Sequence, residues 1–381
     1  MRSTNVLAAL CLLPLGAWAA DDTAWQACTR EQQPTARLAC FDAWARTQAA
    51  PAITAPPAPA AAPATAATTP PAPSPDLPAL EVAEAALARP SARCGSDPSA
   101  SPLARYWELE KASGCGVFRI RIYRPMQLSV VHSNSINTQP TSENPLNSVA
   151  TAEPYRKTET RIQLSVRTKV AEGLLTGEGP LRDSLWFGYT QQSSWQLFTP
   201  DLSRPFRNTD HEPEIVYIHP VTLRAPGNWT VRYGGLGLVH QSNGQSLPRS
   251  RSWNRAYVMV GADHPDGWTL QARAWRRLPE DAADDDNPGI SSYVGRAELL
   301  AGVTTAGGQT VSVTWRTPLR DWTRRGSVRL EWMLPLGAGD EIGQFGRLRL
   351  HTQLFNGFGD SLLDYNRRRT VFSVGLSLVD W

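Results

Sequence analysis

From residue 116 to the C-terminus the chain alternates apolar and polar residues with a period of two, and no other feature constrains its fold as tightly. Ile162, Leu164, Val166, Thr168 and Val170 alternate with Arg161, Gln163, Ser165, Arg167 and Lys169. Val328, Leu330, Trp332 and Leu334 alternate with Arg329, Glu331 and Met333, and Leu348, Leu350, Thr352 and Leu354 with Arg347, Arg349, His351 and Gln353. Successive side chains of a strand point to opposite faces, so each segment reads as a strand with one apolar and one polar face. Weaker segments of the same kind begin near Phe118, Leu185, Ile215, Trp229, Ser252, Trp268, Gly295, Val311 and Phe372. Together they make about twelve strands, separated by turn-forming clusters such as Asp284-Asp285-Asp286-Asn287-Pro288-Gly289.

A soluble sandwich shows the same alternation. Three features favour a membrane barrel instead. The polar face carries long charged side chains at successive positions, as a hydrated lumen would. The 14 Trp suit interfacial aromatic girdles, and the chain ends on Trp381 after an alternating strand, although that residue is out of phase with Phe372, Val374, Leu376 and Leu378. After the N-terminal segment no stretch of about 18 consecutive apolar residues appears, which argues against a helical membrane protein. A formal charge of +3 gives no reason to expect nucleic acid as a partner.

Residues 1–19 read as a secretory signal, with Arg2, an apolar core and Ala17-Trp18-Ala19 before the cleavage point. Four cysteines follow it, Cys28, Cys40, Cys94 and Cys115, and an even number in an exported chain suggests disulfides. The local pairings are Cys28–Cys40 and Cys94–Cys115, among three possible connectivities. Residues 20–46 contain an amphipathic, helical-looking stretch. Residues 47–90 hold 11 of the 31 prolines and many alanines, so they form an extended linker. A pre-barrel segment, 91–116, leads into a barrel at 117–381. The expected fold is all-β: a twelve-stranded antiparallel transmembrane β-barrel with a disordered N-terminal extension.

The chemistry concentrates in His240-Gln241-Ser242-Asn243-Gly244 and Ser250-Arg251-Ser252-Trp253-Asn254-Arg255. Positions i and i+2 of a strand share a face, with Cα atoms about 6.5–7 Å apart. A neutral imidazole at His240 can then take the hydroxyl proton of Ser242 during attack. Asn254, on the next strand of the hairpin, can accept the other ring N–H and fix the tautomer. Leu236 and Leu238 share the face of His240 and Ser242, and Ala256, Val258 and Val260 that of Asn254. A hydrolytic site on the lipid-facing side implies a lipid substrate.

These two runs, with Tyr257, closely resemble the signature of the outer-membrane phospholipase A (phospholipase A1) family. The resemblance extends to Tyr189-Thr190-Gln191 with Trp195-Gln196-Leu197, to Pro205-Phe206-Arg207 with Glu212-Pro213, to Asp286-Asn287-Pro288 and to the stretch from Gly357 to Asn366. It implies a Gram-negative outer-membrane enzyme that hydrolyses acyl esters of phospholipids at either glycerol position, and of lysophospholipids. It implies Ser242 as nucleophile, His240 as general base and acid, Asn254 as orienter and the Gly244 N–H as oxyanion donor. Calcium is expected on the Gln245 carbonyl, Ser250 and, from a second subunit, Ser203. The family commonly has Arg at the position of Gln245, which leaves a carbonyl ligand unaffected. Asp286 matches a second calcium site whose other carboxylate is replaced here by Leu247. Gln191, on an apolar face with Tyr189, Trp195 and Leu197, matches the residue through which the family forms its active homodimer.

Overall fold

The computed structural model describes residues 27–48, 100–321, 324–336 and 348–379. The signal segment, nearly all of the 47–90 linker, Cys94 and Trp381 lie outside the described residues. Two units divide the chain, 1–76 and 77–381. In the first, Cys28 and Cys40 form the expected disulfide, and helix α1 spans Pro34–Gln48. This helix is not amphipathic: its apolar residues are spread around the circumference, and from Pro34 to Ala45 most are exposed, with Cys40, Phe41 and Trp44 half-buried. Cys115 is also disulfide-bonded, to a partner outside the described residues.

The second unit holds strands β1 (Ile120–Ile122), β2 (Met126–Ser133), β3 (Thr158–Glu172), β4 (Ser184–Trp195), β5 (Asn208–Ala225), β6 (Trp229–Ser242), β7 (Ser252–Asp263), β8 (Trp268–Arg277), β9 (Ala297–Thr304), β10 (Thr310–Thr317), β11 (Ser327–Pro335), β12 (Leu348–Gly357) and β13 (Arg369–Leu378). Each pairs antiparallel with its neighbours, and β13 returns to β2, from Val371 opposite Ser133 to Leu378 opposite Met126, closing the ring. β1 and β2 lie on the same edge of β3. They are one barrel strand interrupted at Tyr123-Arg124-Pro125, where proline has no N–H to donate. The barrel therefore has the twelve strands that the alternation predicts.

Its polarity is inverted relative to a soluble sandwich. Arg161 and Lys169 are 1% and 0% exposed, whereas Leu164, on the same strand, is 49% exposed. Leu236, Leu330, Leu354 and Phe372 project outward in the same way. The charged residues tolerate burial because they are paired within the lumen. Arg124 meets Glu212 at 2.6 Å, Arg316 meets Glu298 at 2.7 Å, and Tyr257 donates to Glu214 at 2.6 Å. Such an exterior is stable only against hydrocarbon.

The tryptophans only partly follow the girdle expectation. Trp107, Trp186, Trp253 and Trp275 are buried inside. Helix α2 (Pro102–Trp107), begun by Ser101 accepting from the Ala104 N–H, puts Trp107 edge-on to Tyr123, Trp186 and Tyr233. Arg167 lies over the Tyr106, Trp107 and Trp186 rings. This end of the lumen is thereby packed, and a cavity of about 310 Å³ remains among polar residues of the interior. The connections after β2, β4, β6, β8 and β12 lie at the opposite end.

Candidate active site

Register in the β6–β7 hairpin sets the site. His240 lies opposite Asn254, and Ser242 opposite Ser252. His240 Nδ1 is 2.8 Å from Asn254 Oδ1. His240 is exposed on the outer face with Leu236 and Leu238, and Asn254 shares that face with Val258 and Val260. The Ser242 hydroxyl stands two residues on from His240, on the same face. No hydrogen bond joins them among the described residues; catalytic contacts of this kind commonly tighten only around substrate.

The connection after β6 is held from inside. Asn243, 3% exposed, accepts the Arg251 N–H on Oδ1 at 2.9 Å and donates to the Arg249 carbonyl at 2.8 Å. Its backbone N–H reaches the Arg251 carbonyl at 3.0 Å, so the hairpin continues one rung past Ser242. Gly244 follows at φ +60, in the left-handed region that glycine adopts without cost, against the ring of His211. Its N–H donates to no group among the described residues, and the Gln245 carbonyl accepts from none.

Ser250 donates to Asp286 Oδ2 at 2.6 Å, and Ser252 to the same oxygen at 3.3 Å. Asn147 fixes the other carboxylate oxygen at 2.9 Å. Asp286 therefore sits on Ser250 rather than among further loop carboxylates, and Leu247 is exposed. With its proton given to Asp286, the Ser250 hydroxyl has lone pairs left for a cation. A carbonyl, a hydroxyl and a nearby carboxylate are the donors that suit calcium. Ser203 lies apart, in the β4–β5 connection, where its hydroxyl donates to the Pro200 carbonyl and its backbone carbonyl accepts from the Trp195 indole. On the outer face of β4, Gln191 accepts from Tyr189 and donates to Ser193, both at 3.2 Å.

Two neighbours were not singled out from the sequence. His211 pairs in register with Ser242, and its Nδ1 is 2.7 Å from the Tyr189 hydroxyl. Its parity with Ile215 on β5 could have placed it on the outer face. Glu280 accepts from Asn254 Nδ2 at 3.0 Å. It lies in a connection without periodicity, so no sequence signal could have found it.

A closed, inside-out twelve-strand barrel with polar groups on its lipid face defines an outer-membrane β-barrel enzyme class. The phospholipase A1 family model matches residues 103–378, and the chain belongs to that family. The phospholipase A1 of Escherichia coli K12 is 35% identical over 235 residues, 60% of this chain and 72% of that relative. The solved outer membrane phospholipase A from Escherichia coli aligns with TM-score 0.58 and 30% identity, over 69% of this chain and 99% of its own. The Salmonella typhi outer membrane phospholipase, solved as a dimer with bound calcium, aligns equally well over 69% of this chain and 93% of its own. The chain is thus a phospholipase of the Gram-negative outer membrane, which it crosses with strands.

Proposed function

We propose that the chain is a calcium-dependent serine hydrolase that cleaves acyl esters of phospholipids at either glycerol position, and of lysophospholipids, and that it is activated by dimerisation. The observation that carries this reading is the 2.8 Å contact from His240 to Asn254 on the lipid-facing side, two residues from the Ser242 hydroxyl. Ser242 Oγ attacks the ester carbonyl while His240 takes its proton. Asn254 Oδ1 accepts the Nδ1–H, which keeps Nε2 aimed at the serine. The Gly244 N–H donates to the oxyanion. His240 then returns the proton to the leaving alcohol, and a water deprotonated by the same ring releases the fatty acid.

Gln245, through its carbonyl, and Ser250 would hold calcium, with Ser203 of a second copy completing the set. Calcium supplies electrostatic stabilisation of the oxyanion when bound. Asp286 keeps the Ser250 hydroxyl turned for that role. Gln191 offers a polar contact at the face between the two copies.

The test is hydrolysis of phosphatidylcholine in mixed micelles by refolded protein, first with calcium and then with chelator. Fatty acid release that stops in chelator is expected. Equal release in both would overturn the calcium requirement, and no release in either would overturn the hydrolase reading.

A further inference from the structure

The geometry points to Glu280 as a fourth, positioning member of the hydrolytic site, one that fixes which end of the Asn254 amide faces His240; this rests on the serine-hydrolase reading above. An asparagine amide has two ends of nearly equal shape and opposite hydrogen-bonding character. Only the oxygen end can accept the Nδ1–H of His240. With the NH2 end turned to the ring, the imidazole would be driven to the other tautomer, and Nε2 could no longer take the serine proton. The contact between Asn254 and His240 does not by itself exclude that arrangement.

Glu280 excludes it. Its carboxylate can only accept, and its Oε1 stands 3.0 Å from Asn254 Nδ2, so the NH2 end is claimed and the oxygen is left for His240. The chain runs Glu280, Asn254, His240, with each polar end matched to its opposite. Glu280 is itself fixed. Arg277 donates to its Oε2 at 2.8 Å, and the same guanidinium nitrogen meets Asp285 at 2.6 Å. Both members of the Arg277–Glu280 pair are mostly sheltered, 13% and 18% exposed. The Leu278 N–H still bonds the Asn254 carbonyl at 2.8 Å, and Pro279 follows at once, so the backbone leaves the sheet where Glu280 can reach over Asn254. Asp285 also accepts the Asn287 N–H, while Asn287 accepts the Ser252 N–H on β7. The carboxylate is thus tied at both sides to the strand that carries Asn254.

Glu280→Gln keeps size and an acceptor oxygen but adds a donor, so both orientations of Asn254 become acceptable. With phosphatidylcholine micelles and saturating calcium, kcat should fall about tenfold, the scale of one hydrogen bond to a charged group, with KM unchanged. In an Asn254→Ala background the same change should cost nothing further, because the group it orients is gone. Wild-type kcat in Glu280→Gln, or an equal loss in the Asn254→Ala background, overturns the inference. Ser242→Ala, measured alongside, separates the two levels. Retained turnover there overturns the hydrolase reading and this inference together, while its loss beside a fully active Glu280→Gln overturns this inference alone.

Discussion

In the proposed reaction His240, Ser242 and Asn254 act as acid–base group, nucleophile and orienter, and each proposed role predicts a different response to truncation. Ser242→Ala removes the attacking atom. Hydrolysis should fall to the background of the assay while the barrel keeps its heat-modifiable migration, since Ser242 ends a strand and packs against little. Asn254→Ala leaves nucleophile and base in place and should retain more activity than Ser242→Ala. Measured side by side in the same micelles, equal losses would show that Asn254 does more than orient. At this scale the sequence was informative where spacing decides proximity. An i, i+2 pair and a cross-hairpin partner are fixed by strand geometry. Parity places His211 on the outer face, but Glu280 comes from a connection without periodicity, and spacing carries no information about it.

The β6–β7 hairpin is held in register on its inner face by a glycine. Gly237 lies opposite Tyr257, and a Cβ there would stand 2.2 Å from the Tyr257 ring. The tyrosine occupies the space the glycine leaves and donates to Glu214. Gly237→Val would push the ring off Glu214 and strain the pairing three rungs from His240. A loss of about 1–3 kcal/mol is expected from overpacking, read as a lower temperature for the folded-to-unfolded gel shift. An unchanged transition would mean that the ring has another place to go. Twelve strands were legible because a one-residue slip would turn every charged residue into lipid. The break at Pro125 was less so, because Ile120–Ile122 before it and Met126–Ser133 after it alternate in the same phase.

On the scale of the molecule, the ion pairs inside the barrel and under the connection after β12 hold distant strands together. Asp360 sits in that connection. Burial raises its carboxyl, but Arg161 and Arg369 outweigh this and hold it down at about 2. An ordinary Asp titrates near pH ~3.9. The unfolded chain therefore binds this proton first, so the stability contributed is complete above about pH 4 and is lost as pH falls through about 2. Thermal unfolding of refolded protein between these values should show that decline, and Asp360→Asn should flatten it; an identical slope in the variant would assign the acid sensitivity elsewhere. The proposed dimer belongs to this scale too. Gln191 uses two of its four hydrogen-bonding positions within the chain. Gln191→Ala should weaken the calcium-loaded dimer by roughly 0.6–2 kcal/mol, the range of polar contacts between membrane helices carried over to strands. Sedimentation in detergent measures this, and an unchanged association constant would remove Gln191 from the interface.

The alternation of residues 161–170 and 347–354 by itself determined a sheet with a charged face and an apolar face, and the repetition of that pattern determined how many strands. Side-chain direction in a strand is local, so it can be read without knowing the fold. The same locality brought His240, Ser242 and Asn254 together on paper. Tertiary structure supplied the partners of the inward charges, Asp360 for Arg161 and Glu159 for Arg207. It also decided that Trp107 and Trp186 fill the lumen rather than a girdle, that Asp286 attends Ser250, and that Glu280 stands behind Asn254. These contacts join residues from different connections or from opposite walls. A one-dimensional period cannot encode them, because their partners are set by the closure of the barrel and by the paths of its connections.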